Sequence, residues 1–279
     1  MSELRMEKAD LQISGSGVAA GGIYKDISLR GSAKISGDTE CEILSIGGTA
    51  KVDGILNARH TKVSGSATFL EDVNCDDFTV SGSSKVLGYY KSNNTKVSGS
   101  LSLDRSAVFG KLEVNGNVLI KEDAKIEVCE ISGRLQVEES LQAEMIKLRG
   151  VLKVHRECNC DSFFGHGVVN IDGQLNVNDM HIEVEGLSKV KSIKAKKIII
   201  EENSTFGVVK KFVNKLMGYK NYLEVNEIEA ENIYLENTSS KIVRGKNVTI
   251  GKGCEIGRIE YTGQLEMNDQ ASVSEYLKI

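Results

Sequence analysis

The chain has 279 residues, and its 35 Lys and Arg against 39 Asp and Glu give a formal net charge of −4. Both signs are interspersed, which excludes an extended basic surface of the kind that binds nucleic acid. No apolar run is long enough for a secretion signal or a membrane-spanning helix, so we expect a cytoplasmic protein.

The beginning of the chain is polar and differs from the rest. Residues 1–13 are expected to form a flexible tail, and residues 14–190 a regular array of coils. The first coil is imperfect, and its four glycines favour unusual backbone turns. These glycines are Gly15, Gly17, Gly21 and Gly22.

Glycine then recurs at every seventeenth position, nine times in succession. A period this short, held for so long, is typical of stacked structural repeats rather than of a globular core. Each glycine is expected to mark a corner, where it supplies backbone conformations that other residues resist. The nine are Gly31, Gly48, Gly65, Gly82, Gly99, Gly116, Gly133, Gly150 and Gly167.

Apolar residues occupy fixed positions relative to these glycines. Apolar residues two apart, with polar residues between them, indicate β-strands, and the alternation changes phase three times per repeat. We therefore predict an all-β fold, a single-stranded parallel β-helix with right-handed, triangular coils of about 17 residues. The residues four positions after each glycine are Ile35, Val52, Phe69, Val86, Leu103, Ile120, Val137, Val154 and Ile171.

The composition agrees with a narrow stack of internal strands. The chain contains no proline and no tryptophan, and only 5% of its residues are aromatic. Proline cannot donate a hydrogen bond to a strand ladder, so its absence suits a fold in which nearly every strand is internal. A thin triangular interior also leaves little room for large rings.

The six cysteines follow the repeat rather than a pairing pattern. Five fall on inward positions, where a thiol behaves as a small buried hydrophobic group. We therefore expect structural cysteines without disulfides. The five are Cys41, Cys75, Cys129, Cys158 and Cys160, and Cys254 lies outside the regular register.

Residues 191–279 are predicted to continue the β-helix, with an insertion at 205–222. The pattern of residues 193–200 matches that of residues 228–235, which lie 35 positions later. This offset is two repeats plus one residue, so the insertion occurs between two coils.

Within the insertion, residues 207–221 place apolar side chains on one helical face and lysines mostly on the other. One interpretation is a short helix or hairpin that packs on the β-helix. The other is a basic amphipathic segment that contacts a membrane surface or a partner protein. Its contact residues are then Val209, Lys211, Phe212, Lys215, Leu216 and Met217.

No group of residues supports catalysis, cofactor binding or metal binding. The run from His155 to His166 contains two cysteines, but these should point inward while the histidines lie at corners, so a zinc site cannot form without distortion. The acidic residues Asp72, Asp76 and Asp77 lack matching partners in neighbouring repeats and are expected to form a solvated surface.

Short motifs recur within the repeats: Lys-Val-Ser-Gly-Ser at 62–66 and 96–100, Lys-Ile-Ser-Gly-Asp at 34–38, and Ile-Ser-Gly-Ser-Gly at 13–17. In these motifs the chain resembles the bactofilins, bacterial cytoskeletal proteins that form polymers. The resemblance implies a right-handed triangular β-helix that polymerises end to end without nucleotide and scaffolds envelope, shape or motility machinery. The chain departs from the family in its insertion and in lacking proline-rich tails and an apolar membrane-targeting start.

The expected function is therefore a non-enzymatic, self-assembling scaffold. Its expected location is the cytoplasm, including a peripheral position at the inner face of the cell membrane. Its partners are further copies of itself, together with the membrane surface or envelope and motility proteins, but not nucleic acid. The alternative is a β-helical enzyme, either carbohydrate-active or an acyltransferase, since residues 248–257 resemble two hexapeptide repeats of acyltransferases.

The ends of a β-helix carry unpaired strand edges, which pair with other chains unless they are covered. Residues of the first and last coils are therefore predicted to mediate self-association. In the alternative arrangement, the polar segments 1–10 and 268–279 fold over the ends and keep the protein monomeric. The predicted docking residues are Val18, Ala19, Ala20 and Ile23 at one end and Ile256, Ile259, Tyr261 and Leu265 at the other.

Overall fold

The computed structural model describes residues 8–201 and 221–279. Across these two ranges the regular elements are all β-strands, so no helix there is available to cross a membrane. The strands wind into an all-β parallel β-solenoid of about 15 turns with about 17 residues per turn, which confirms the predicted fold class. The right-handedness of the coils stays a prediction.

Two compact units divide the chain, Met1–Ile126 and Glu127–Ile279. The strands of the first unit are β1 (Ala9–Ile13), β2 (Ser16–Leu29), β3 (Ser32–Ile46), β4 (Thr49–Asp53), β5 (Leu56–Val63), β6 (Ser66–Phe69), β7 (Val73–Val80), β8 (Ser83–Val86), β9 (Tyr90–Val97), β10 (Ser100–Leu103), β11 (Ala107–Val114) and β12 (Asn117–Ile120). Strand β13 (Ala124–Ile131) begins in the first unit and ends in the second. The second unit continues with β14 (Arg134–Val137), β15 (Leu141–Leu148), β16 (Val151–Val154), β17 (Cys158–Val184), β18 (Leu187–Glu201), β19 (Tyr222–Leu235), β20 (Thr238–Ile250), β21 (Glu255–Tyr261), β22 (Leu265–Met267) and β23 (Ser272–Lys278).

In the regular part of the first unit, each strand residue pairs with the residue 17 positions further along the chain. Val63 in β5 faces Val80 in β7, and Val80 faces Val97 in β9. All three side chains are fully buried. The positions counted from the glycines therefore correspond to rows of stacked side chains in the interior, as predicted.

Each of these coils has three straight segments. Strand β6 buries every second residue, and so does the first part of β7, at Val73 and Cys75. The alternation in β7 then changes phase, and Phe78 and Val80 are the next buried residues. This change of phase marks a corner within β7, so each coil has the three sides that the sequence predicted.

The glycines that open the repeats are required for a reason other than the predicted one. Within that series only Gly167 has a positive φ, 151°. A methyl group on Gly82 or Gly99 would instead fall far inside van der Waals contact with the carbonyl oxygen of the glycine one coil earlier. The series exists because the backbones of consecutive coils touch at this corner.

Large rings stack in the interior of the first unit, where the sequence predicted little room for them. Phe69, Phe78, Tyr90 and Phe109 are buried, and successive ring centroids lie 6.0, 5.4 and 5.2 Å apart. These are distances at which edge-to-face and tilted ring pairs attract. The Tyr90 hydroxyl shares a 2.7 Å hydrogen bond with Thr95, and burial raises the pKa of Tyr90 well above its ordinary value.

In the second unit the spacing between paired strands departs from the strict repeat. Asn170 of β17 faces Lys189 of β18, which lies 19 positions further along the chain. Ile193 of β18 faces Ile228 of β19, which lies 35 positions further along. The second pairing agrees with the match between the two sequence patterns that contain these isoleucines, so β19 stacks directly on β18 despite the long segment between them.

Residues 9–13 form strand β1, whereas the polar start of the chain predicts a flexible tail over residues 1–13. Leu11 faces Ile27 and Ile13 faces Leu29 in β2. Because these two apolar side chains have the spacing of a strand and cover buried residues of β2, the segment adds to the solenoid.

Candidate functional site

At the N-terminal end of the first unit, part of strand β2 has a strand partner on only one side among the described residues. Strand β1 covers β2 from Tyr24 to Leu29, whereas residues 16–22 pair only with β3 in the described part of the chain. Val18 is 74% exposed and Ile23 is 62% exposed. An unpaired edge with apolar side chains favours pairing with another strand.

The four residues predicted for this end all lie in β2 but differ in exposure. Ala20 is exposed, as are Val18 and Ile23. Ala19 is half-buried and faces the fully buried Ile35 of β3, so it belongs to the interior.

At the other end of the chain, the last coil of the second unit leaves interior positions uncovered. Strand β23 pairs with β21, so that Val273 faces Ile256 and Tyr276 faces Ile259. The two isoleucines are buried, but Tyr276 is 57% exposed. Tyr276 thus lies in the same row of stacked side chains as the buried Ile259. No described residue of a further coil covers Tyr276, whereas Tyr276 itself covers Ile259.

Strand β22 likewise carries partly exposed apolar residues that pair with buried ones, here in β20. Met267 faces the buried Ile250 and is itself 43% exposed, and Leu265 faces the buried Val248 and is half-buried. Apolar side chains exposed beside an unpaired strand edge are typical of an association surface. We call Leu265, Met267, Val273 and Tyr276 together the C-terminal core layer.

The prediction that Ile256 and Ile259 form this end is wrong, because β23 covers both of them. From their composition, residues 268–279 are predicted only as a polar segment. Yet one further step of the repeat leads from Ile256 to Val273 and from Ile259 to Tyr276. Extending the 17-residue repeat by one step would therefore have predicted Val273 and Tyr276 as residues of this end.

Tyr261, also predicted for this end, contacts the last strand instead of a free surface. The ammonium nitrogen of Lys278 lies 5.8 Å from the centroid of the Tyr261 ring. This is the range of a cation–π interaction. Tyr261 therefore helps to hold β23 on β21, while Leu265 remains part of the C-terminal core layer.

All six cysteines are free and buried, as expected of structural cysteines. Burial raises the pKa of Cys75 to about 12, and it raises the pKa of Cys41 and of Cys254 to about 11. The thiolate is the reactive form of cysteine, and at neutral pH these groups are almost entirely protonated.

We expect the six thiols to resist alkylation while the protein is folded, because all six are buried and the raised pKa of Cys41, Cys75 and Cys254 opposes it further. At pH about 8, iodoacetamide should leave the native mass unchanged during an incubation that modifies every cysteine in urea. Intact-mass spectrometry measures the number of adducts. An adduct on the native protein in that time would identify a thiol that is accessible and contradict this prediction.

The residues considered for zinc binding do not share one environment. Cys158 and Cys160 are buried in β17, whereas His155 and His166 are half-buried. In the part of the chain that the structure describes, no group of three or more His, Cys, Asp or Glu side chains is placed to hold a metal ion.

Each of the three aspartates considered for catalysis bonds to a neighbouring coil. Asp72 accepts a 2.8 Å hydrogen bond from the backbone N–H of Tyr89, and Asp76 accepts one of 3.0 Å from the Asn93 amide. Asp77 lies 2.8 Å from a histidine of the preceding coil. These contacts give the three carboxylates a role in joining coils.

The predicted membrane or partner segment lies outside the described residues. The described chain resumes at Asn221, whose side-chain oxygen accepts a 2.9 Å hydrogen bond from the backbone N–H of Gly186. The residues predicted for contact that fall in this gap are Val209, Lys211, Phe212, Lys215, Leu216 and Met217.

No family model matches the chain, and no solved structure does. Over 108 residues it is 33% identical to Uncharacterized protein YhbF from Bacillus subtilis (strain 168), a match that covers 38% of this chain and 42% of YhbF. Over 49 residues it is 39% identical to Uncharacterized protein YhbE from the same strain, covering 18% of this chain and 21% of YhbE. The matches thus span less than half the length of either relative. The chain is a β-solenoid protein related to YhbF.

Proposed function

We propose that this protein is a non-enzymatic, bactofilin-like scaffold that assembles with copies of itself in the bacterial cytoplasm. The observation that carries this proposal is the C-terminal core layer, in which Met267 and Tyr276 are 43% and 57% exposed although their strand partners are buried. The repeat motifs shared with the bactofilins support the same function.

Two physical terms favour association at this surface. Burial of apolar surface contributes about 25 cal/mol per Å². The outer edge of β23 also offers backbone donors and acceptors that a strand of a second copy can pair with. When a second copy places a coil on β23, it buries apolar surface and forms backbone hydrogen bonds with the strand. Repetition of this contact produces an ordered assembly.

In the proposed role the assembly organises envelope, shape or motility machinery. A membrane surface at the inner face of the cell is the second proposed partner, reached through the apolar and lysine side chains of residues 207–221. Neither step requires a nucleotide, a cofactor or a catalytic residue.

The double substitution Met267→Asp with Tyr276→Asp should weaken self-association by at least about tenfold, because it places two charges where apolar surface must be buried. Sedimentation velocity over a range of protein concentrations measures the change. Negative-stain electron microscopy without nucleotide should show filaments or sheets for the parent chain and shorter or no assemblies for the variant.

Tyr89→Asp is the matched control, since Tyr89 is 59% exposed and lies in the first unit, far along the chain from β23. It should assemble like the parent. A parent chain that stays monomeric at high concentration would sink the proposal, as would equal losses of assembly in the control and the double variant.

A further inference from the structure

A polar trough crosses the outside of the first unit. It has a volume of about 660 Å³ and is lined by two rows of side chains from consecutive coils. We call it the lateral trough. One row includes Asn57, Asn74 and Lys91, and the other includes Arg59, Asp76 and Asn93.

Strand alternation creates the two rows. Asn74 and Asp76 point outward on either side of the buried Cys75 in β7. Strands β5 and β9 pair with β7 at an offset of one repeat, and they present the same arrangement above and below it. Adjacent parallel strands are about 4.8 Å apart, so each row presents a polar group at that interval along the trough.

Hydrogen bonds between coils hold the amides in place. The Asn74 amide donates to the Asn57 carbonyl oxygen at 3.2 Å, and the Asn93 amide donates to the Asp76 carboxylate at 3.0 Å. Among the described residues, no further partner occupies the side-chain N–H groups of Asn57 or the side-chain carbonyl oxygen of Asn74, so both can bond to a ligand. Groups that are already oriented lose little conformational entropy when they bind.

The charges of the lateral trough balance. The lining includes three cationic side chains and three carboxylates, which gives a formal charge of zero. A balanced site attracts neither a polyanion nor a polycation over long range. The cations are Lys8, Arg59 and Lys91, and the carboxylates are Glu40, Glu42 and Asp76.

Two of the cations are available to a ligand. Lys8 pairs with Glu40 at 3.0 Å. Arg59 and Lys91 are exposed and make no ion pair with any residue that the structure describes. In the described part of the chain no carboxylate pairs with the Arg59 guanidinium, so its N–H donors can bond to a ligand in the trough.

The backbone in this region cannot bind a peptide as an added strand, because β7 is already paired with β5 on one side and with β9 on the other. A ligand must bond to side chains. Hydroxyl groups both donate and accept hydrogen bonds, and the amide, carboxylate and guanidinium groups of the two rows supply both kinds of partner.

We propose that the lateral trough binds a linear, uncharged polysaccharide whose chain lies along the stack of coils with its hydroxyl groups bonded to the two rows. The site is separate from the C-terminal core layer and adds a glycan ligand to the scaffold. Binding is non-catalytic, because the hydrogen bond from Asn93 holds the Asp76 carboxylate as part of the coil contact.

Isothermal titration calorimetry of the full chain with cellohexaose and with chitohexaose tests the proposal. At least one of these neutral hexasaccharides should bind saturably. Arg59→Ala and Asn74→Ala should each reduce the affinity by about tenfold. The controls are Arg134→Ala and Asn176→Ala in the second unit, where the Asn176 amide donates to Asn159 in a similar contact at 2.7 Å.

Thermal unfolding of each variant establishes that it is folded, and sedimentation establishes that its self-association is unchanged. The absence of saturable binding by both hexasaccharides would overturn the inference. Equal losses of affinity in the controls would also overturn it, and so would tighter binding of dextran sulfate than of the neutral chains.

Discussion

Gly99→Ala should lower the free energy of unfolding by about 3 kcal/mol or more. The added methyl group would collide with the carbonyl oxygen of Gly82 and with backbone atoms of Ser81 one coil earlier. A flexible side chain could move away from such a contact, but these are backbone atoms of the corner between β7 and β8, where the Gly82 carbonyl oxygen accepts a 2.9 Å hydrogen bond from the backbone N–H of Ser100. The coils must therefore separate locally, which costs hydrogen bonds and packing. Urea unfolding followed by circular dichroism measures the loss.

Gly15→Ala is the matched control for this substitution. Gly15 opens the same row of glycines, but a methyl group there meets no atom within 4 Å. The expected change is below about 1 kcal/mol, since the main effect of the added methyl is on the unfolded chain. Similar losses at Gly15 and Gly99 would show that the cost arises from the corner conformation and not from contact between coils.

The repeat predicted the interior of the first unit because its period is strict there. Val63, Val80 and Val97 stack as their spacing indicated, and the row of glycines lies at a corner. The predicted reason for the glycines was wrong because a close contact between two backbones and a positive φ both require glycine. The sequence shows the same residue in either case. Only the positions of the atoms of the preceding coil distinguish the two causes.

The candidate site was predicted less well because the repeat weakens at both ends of the chain. In the last coil, serines flank Val273 and Glu275 precedes Tyr276, so the segment has the polar composition of a tail. Its apolar residues nevertheless keep the spacing of the repeat from Ile256 and Ile259. Composition alone could not show that this segment pairs with β21 and covers the two isoleucines.

Val97→Asp should destabilise the protein by about 4 kcal/mol or more at neutral pH. Val97 is fully buried and faces Val80 on one side and Val114 on the other. No cation or hydrogen-bond donor belongs to this row of aliphatic side chains. The introduced carboxyl must therefore enter the interior unpaired or take up a proton.

Val108→Asp is the matched control, because Val108 lies in the neighbouring strand β11 but is 44% exposed. It should cost less than about 1 kcal/mol.

The pH dependence of Val97→Asp gives an independent measurement. Burial raises the pKa of the introduced carboxyl above its unfolded value of about 3.9. The folded variant then retains a proton that the unfolded chain releases, so its destabilisation should grow as the pH rises from about 4 to 7. Denaturant unfolding of parent and variant at both pH values measures this growth. If Val97→Asp unfolds like the parent at each pH, this row of valines does not form the interior.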